Sequence, residues 1–70
     1  MKYAVVIEKA QLNYSAYVPD LPGCIATGTS IEDAREQIRE AIEFHIEDMR
    51  QGGEAIPQPS SSVEYIEVAA

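Results

Sequence analysis

Polar and apolar positions alternate along the first eighteen residues. Within Met1–Lys9, Tyr3, Val5 and Ile7 fall on one side of an extended chain, and Ala4, Val6 and Glu8 on the other. β-Branched residues and a tyrosine in that rhythm predict a strand with one well-buried face. Residues 10–13 (AQLN) are short and polar enough to connect a hairpin. Tyr14–Val18 predicts a second strand, with Tyr14, Ala16 and Val18 on one face and Ser15 and Tyr17 on the other. Two strands this close in sequence pair antiparallel. Pro19, Asp20, Leu21, Pro22 and Gly23 then predict a rigid turn: both prolines fix φ, and Gly23 can supply a positive φ. A short third strand follows over Cys24–Thr27, ended by Gly28 and Thr29.

The period then changes. Ser30 is a good N-cap with Asp33 three residues on, a variant of the capping box. Glu32 and Asp33 suit the positive end of a helix dipole. Nothing interrupts Ile31–Arg50, and Gly52 and Gly53 supply the stop. At about 100° per residue, Ile31, Ala34, Ile38, Ala41, Ile42, His45, Ile46 and Met49 form one stripe, with Asp33, Glu36, Glu40, Glu43 and Glu47 opposite. That predicts a helix laid across one face of the sheet. After the polar stretch 57–62 (PQPSSS), Val63–Val68 alternates again and predicts a fourth strand with Ile66 and Val68 on its apolar face. The expected fold is α+β, in the order β-β-β-α-β, with one helix on a mostly antiparallel sheet and a single domain over residues 1–70.

Seventy residues bury little surface, so such a domain is marginal alone. The second sheet face has no helix to cover it, and Tyr17 and Tyr65 are expected there, so a homo-oligomer is expected too. The net charge is −7, which disfavours a phosphate backbone and suits either a basic partner or a solvated acidic surface that only confers solubility. No apolar run is long enough to span a membrane. The single cysteine excludes a disulfide scaffold, and the N-terminus lacks the features of a signal peptide. The chain reads as cytoplasmic.

Candidate chemistry is sparse. His45 lies in the helix stripe, and Cys24 enters a strand, where a free thiol acts as a small hydrophobe. They come from different elements with no third group to orient them. Glu8 and Asp20 are the only acids in or beside the first three strands, which is thin for metal-dependent chemistry. Phe44 is the oddity: it falls about 140° from Ile31 on the helical wheel, among Gln37, Glu40, Glu47 and Asp48. An aromatic ringed by acids suits a basic partner or a second copy of the chain. No catalytic residue, metal site or cofactor is expected.

Residues 3–7 (YAVVI), 17–24 (YVPDLPGC), 28–30 (GTS), 32–34 (EDA), 40–42 (EAI) and 56–57 (IP) together resemble the HicB-type antitoxins of bacterial and archaeal toxin–antitoxin pairs. The resemblance covers nearly the whole chain. It implies a truncated RNase H-like layout without the RNase H catalytic carboxylates. It also implies a non-enzymatic module that neutralises a small basic HicA-like toxin, an mRNA interferase, by masking its active site. Expected partner-binding residues are Glu40, Phe44, Glu47, Asp48, Tyr17 and Asp20; Pro19, Pro22 and Gly23 are expected to set the turn. Many family members continue into a DNA-binding domain, whereas this sequence ends at Ala70, so no direct nucleic-acid binding is expected. Two other readings stay open at this point. One is an orphan homo-oligomer with a structural or small-ligand role, marked by a pocket of Tyr17, Cys24 and Tyr65. The other is a degenerate RNase H-like domain that processes nucleic acid, which requires Glu8 and Asp20 to converge.

Overall fold

A computed structural model describes all 70 residues. Strands β1 (Val6–Lys9), β2 (Tyr14–Tyr17) and β3 (Ile25–Gly28) form one antiparallel sheet in the order β1-β2-β3. Helix α1 (Ile31–Gln51) crosses one face, closest to β3 and β2. The core is small: Ala16, Val18, Leu21, Cys24 and Ile38 are buried together, with Tyr3, Val5, Ile7, Ala26, Ala41 and Ile42 packed around them. The parity expected from the alternation places these side chains on the helix side. On the open side, Val6, Tyr17 and Ile25 stand opposite one another across the three strands, forming a single apolar row.

The proline-rich segment is two turns in succession. Leu21 N–H donates to the Val18 carbonyl (3.1 Å), and Cys24 N–H to the Leu21 carbonyl (3.1 Å). Pro22 and Gly23 are the central residues of the second turn. Gly23 has φ +81°, the pattern of a type II turn with proline first and glycine second. Val18 N–H reaches the Cys24 carbonyl across the base (3.2 Å). Leu21, shared by both turns, is thereby driven into the core, where it is almost wholly buried.

Both helix ends are closed by local chemistry. Ser30 Oγ accepts from Asp33 N–H (3.0 Å), and Asp33 Oδ2 accepts from the N–H of Thr29 (2.8 Å). The box is therefore reciprocal, with Thr29 in place of the cap residue itself. At the other end, Gly53 (φ +72°) donates to the Arg50 carbonyl and Glu54 N–H to that of Met49, a Schellman arrangement. Gly28 has a different role. A Cβ built there would lie 2.3 Å from Ala34 N and 2.6 Å from Ala34 Cα, so its missing side chain lets α1 approach β3.

Two expectations fail. Ile31, placed on the buried stripe by its angle, is 49% exposed, although Ala34 in the same turn is buried against Gly28. The fourth strand is absent: residues 54–70 carry no helix or strand, and Val63, Tyr65, Ile66 and Val68 are exposed. Alternation gives a segment two faces, but a strand is held by hydrogen bonds to a neighbour. Here the chain after Pro59 leaves the sheet. The radius of gyration is 13.7 Å, against about 11 Å for a compact chain of this length.

Candidate functional site

α1 is about 30 Å long, whereas a four-residue strand spans only about 13 Å, so the helix overhangs its sheet. An open groove runs along each flank of α1. The one between α1 and the free edge of β3 has a volume of about 590 Å³. Its floor is Cys24, Ala26 and Ala41; its walls include Ile25, Gln37, Glu40, Phe44 and His45. The Phe44 ring, on the side of α1 turned away from the core, stands at the mouth, 77% exposed. Glu40 is the one charged residue lining this groove.

The opposite flank, between α1 and the N-terminal segment leading into β1, is more apolar and differently charged. Met1, Tyr3, Val5, Ile38, Ile42 and Ile46 line it. Arg35, Arg39 and Arg50 stand at its rim with Glu43 and Glu47. Three of the five cations in the chain thus gather on one flank of the helix, and none lines the other.

The six residues expected to bind a partner are dispersed by the fold. Glu40 and Phe44 share the β3-side groove. Asp48 is exposed one helical turn beyond Phe44. Glu47 belongs to the β1-side groove and pairs with Arg50 (3.5 Å). Tyr17 stands in the apolar row on the open sheet face. Asp20 is already engaged within the chain. Its Oδ2 accepts from the backbone N–H groups of Ser60 and Ser61 (3.0 Å each), and its Oδ1 from their hydroxyls (3.0 and 2.8 Å). These bonds, the backbone ones foremost, hold its carboxyl well down, from 3.8 to about 2. Sequence reasoning missed this latch; the signal was a serine run offering donors, but nothing local says which acid it meets. Pro19 lies within the first of the two turns, and Pro22 and Gly23 are central to the second.

The requirements of the other readings are not met by this geometry. Glu8 lies opposite Ser15 at the hairpin end of the sheet, while Asp20 lies in the turn beyond Val18, so the two do not converge. No group of three or more His, Cys, Asp or Glu side chains could together hold a metal ion. Cys24 is buried, and burial pushes its thiol up, which makes it a poor nucleophile. Tyr17, Cys24 and Tyr65 line no common pocket, since Tyr65 is in the extended tail. α1 is not long and apolar enough to cross a membrane.

A three-stranded sheet under one overhanging helix is a two-layer α+β module also found in solved antitoxin structures. The chain superposes on the N-terminal domain of the Burkholderia pseudomallei antitoxin HicB with a TM-score of 0.75, at 34% identity, covering 87% of this chain and 73% of that one. It superposes on a chain of the HicA3 and HicB3 toxin–antitoxin complex with a TM-score of 0.74, at 30% identity, covering 86% and 70%. The family model described as the HicB-like antitoxin of bacterial toxin–antitoxin systems matches residues 3–69, and the chain belongs to that family. Among curated relatives, an uncharacterized 14.9 kDa protein of Haemophilus phage HP1 is 39% identical over 66 residues. The match takes in 94% of this chain but only half of the phage protein. A UPF0150 protein of Helicobacter pylori is 40% identical over 65 residues, covering 91% and 90%.

Proposed function

We propose that this chain is a non-enzymatic, cytoplasmic antitoxin module that neutralises a small basic HicA-like toxin by seating it on the β3-side groove and masking its active site. The observation that carries this reading is Phe44: a large aromatic standing free at the mouth of a groove whose one charged lining residue is Glu40. A protein that binds RNA presents a basic face, and an acidic surface attracts it and competes with the phosphates it would otherwise hold. An exposed ring beside small residues gives such an encounter an apolar anchor. The free backbone edge of β3 lies along the same groove and offers N–H and C=O groups for strand addition. Family membership and the likeness to a chain of a toxin–antitoxin complex support the choice of partner.

The test is titration of the purified chain into a HicA-like toxin encoded beside its gene, following RNA cleavage and direct binding together. Stoichiometric loss of cleavage, with binding weakened by added salt, is expected. Phe44→Glu is expected to relieve inhibition without unfolding the domain. Full inhibition by Phe44→Glu would remove the β3-side groove from the mechanism, and undiminished cleavage with the unaltered chain would overturn the antitoxin reading for that pair.

A further inference from the structure

β3 is an edge strand, and the ladder beside it fixes which of its backbone groups are free. In an antiparallel pair, residues that exchange hydrogen bonds alternate with residues that do not. Val18 N–H donates to the Cys24 carbonyl, one step beyond the Tyr17–Ile25 pair. Along the register, Ala16–Ala26 and Tyr14–Gly28 are therefore the bonded pairs, and Tyr17–Ile25 and Ser15–Thr27 the unbonded ones. The β1–β2 ladder agrees: Ala10 N–H donates to the Asn13 carbonyl, so Ser15 and Tyr17 spend their backbone groups on β1. Ile25 and Thr27 thus turn both N–H and C=O to the free edge, and both residues are exposed. Side chains alternate between the two faces. Ile25 continues the apolar row on the open side, and Ala26 faces α1 as part of the β3-side groove. A strand added to this edge would set one side chain opposite Ile25 and the next opposite Ala26. The second would enter the groove, over the small floor of Ala26 and Ala41, between the Phe44 ring and the Glu40 carboxylate. A long cationic side chain suits that space, with its methylenes on the alanines and its charge against Glu40 and the ring face.

We infer that the basic partner adds one of its own edge strands to β3, its backbone bonded to Ile25 and Thr27, with an apolar side chain opposite Ile25 and an arginine or lysine opposite Ala26. This inference rests on the antitoxin reading for the identity of the partner and goes beyond it in naming the contact. Charge favours a foreign strand over any segment of this chain. β3 itself (Ile25–Gly28) carries no cation to set over Glu40, and residues 63–68 (VEYIEV) carry two glutamates and no cation. A partner rich in Lys and Arg supplies the missing charge. Main-chain bonds to the edge would give such a complex its register, and the alternating side chains its selectivity.

The test is amide exchange by NMR on the isotopically labelled chain, alone and saturated with a HicA-like toxin. In the free chain, the amides of Ile25 and Thr27 are expected to exchange fast. In the complex they are expected to slow by about tenfold or more, while Ala26 and Gly28, already bonded within the sheet, change less. Thr27→Pro removes one outward N–H at an edge position where proline costs the sheet no bond. It is expected to keep the helical circular dichroism and to weaken toxin binding by about tenfold. Glu40→Lys is expected to weaken binding more at low salt than at high salt. Toxin binding that leaves Ile25 and Thr27 unprotected overturns the added strand while the antitoxin reading stands. Protection that is already present in the free chain shows the edge to be covered without the partner, and overturns it too. Salt-independent binding by Glu40→Lys at full strength overturns the cationic side chain opposite Ala26. An unaltered chain that binds no HicA-like toxin overturns both the antitoxin reading and this inference. Should Thr27→Pro lose its helical signal, the exchange pattern of the unaltered chain decides alone.

Discussion

Replacing Gly28 by alanine tests how tightly the helix is seated. Its φ is not in the positive range, so alanine has no backbone objection to the site. The objection is space. The added Cβ would lie 2.3 Å from Ala34 N, 2.6 Å from Ala34 Cα and 2.8 Å from Asp33 C, all backbone atoms of the first helical turns. No rotamer change relieves a clash with backbone; α1 must move off β3 by roughly 1 Å to restore ordinary contact. That lifts Ala34 and Ile38, two of the most buried residues, off the strands beneath them. Overpacking of this kind costs about 1–3 kcal/mol. A domain of this size has only about 4–10 kcal/mol in total, and each kcal/mol shifts Tm by roughly 4–8 °C. Gly28→Ala is therefore expected to lower Tm by about 4–24 °C in thermal unfolding followed by circular dichroism. A Tm within a degree of the unaltered protein would show that the helix is not held against the strand by this contact.

Other outcomes follow from the same geometry. Gly23 has φ +81° and open space around it, so strain there comes from the dihedral alone. Gly23→Val is expected to destabilise more than Gly23→Asn, since asparagine tolerates the left-handed region, and equal melting points would refute this. Ser30→Ala removes the acceptor for Asp33 N–H and is expected to lower stability by about 1 kcal/mol in chemical denaturation. The Asp20 carboxyl is depressed in the folded state, so its latch is complete above the ordinary carboxylate value of 3.8 and is lost as pH falls through about 2. The amides of Ser60 and Ser61 should titrate with that lower midpoint in NMR, and Asp20→Asn should abolish the titration. Because Phe44 is exposed, Phe44→Glu is expected to leave stability within about 0.5 kcal/mol. Its effect on toxin binding should reach about 2 kcal/mol, roughly thirtyfold in Kd.

Much of this architecture was legible in residue order because its determinants are local. The strand parities, the Pro19–Gly23 turn, the Ser30 cap and the glycine stop each depend on a few neighbouring residues and on backbone geometry. Phe44 was visible as exposed from its angle on the helix alone. What was not legible depends on contacts distant in sequence. Nothing near Asp20 announces that serines forty residues away will occupy it, so its acidity read as availability to a partner. Gly28 looked like the end of a strand, because its function is set by a helix whose position the pattern does not give. The alternation of Val63–Val68 describes a strand's faces but not its neighbour, and one chain offers it none in place. The segregation of Arg35, Arg39 and Arg50 from Phe44 and Glu40 was present in the helical spacing. It became meaningful only when the sheet edges showed which flank each set borders.

The most direct test of the account compares two single substitutions in one inhibition assay against a HicA-like toxin. Phe44→Glu should lose inhibition, while Arg39→Ala, on the β1-side flank, should inhibit as the unaltered chain does, because the proposed toxin seat is the β3-side groove. Full inhibition by Phe44→Glu together with loss of inhibition by Arg39→Ala would contradict that proposed seat.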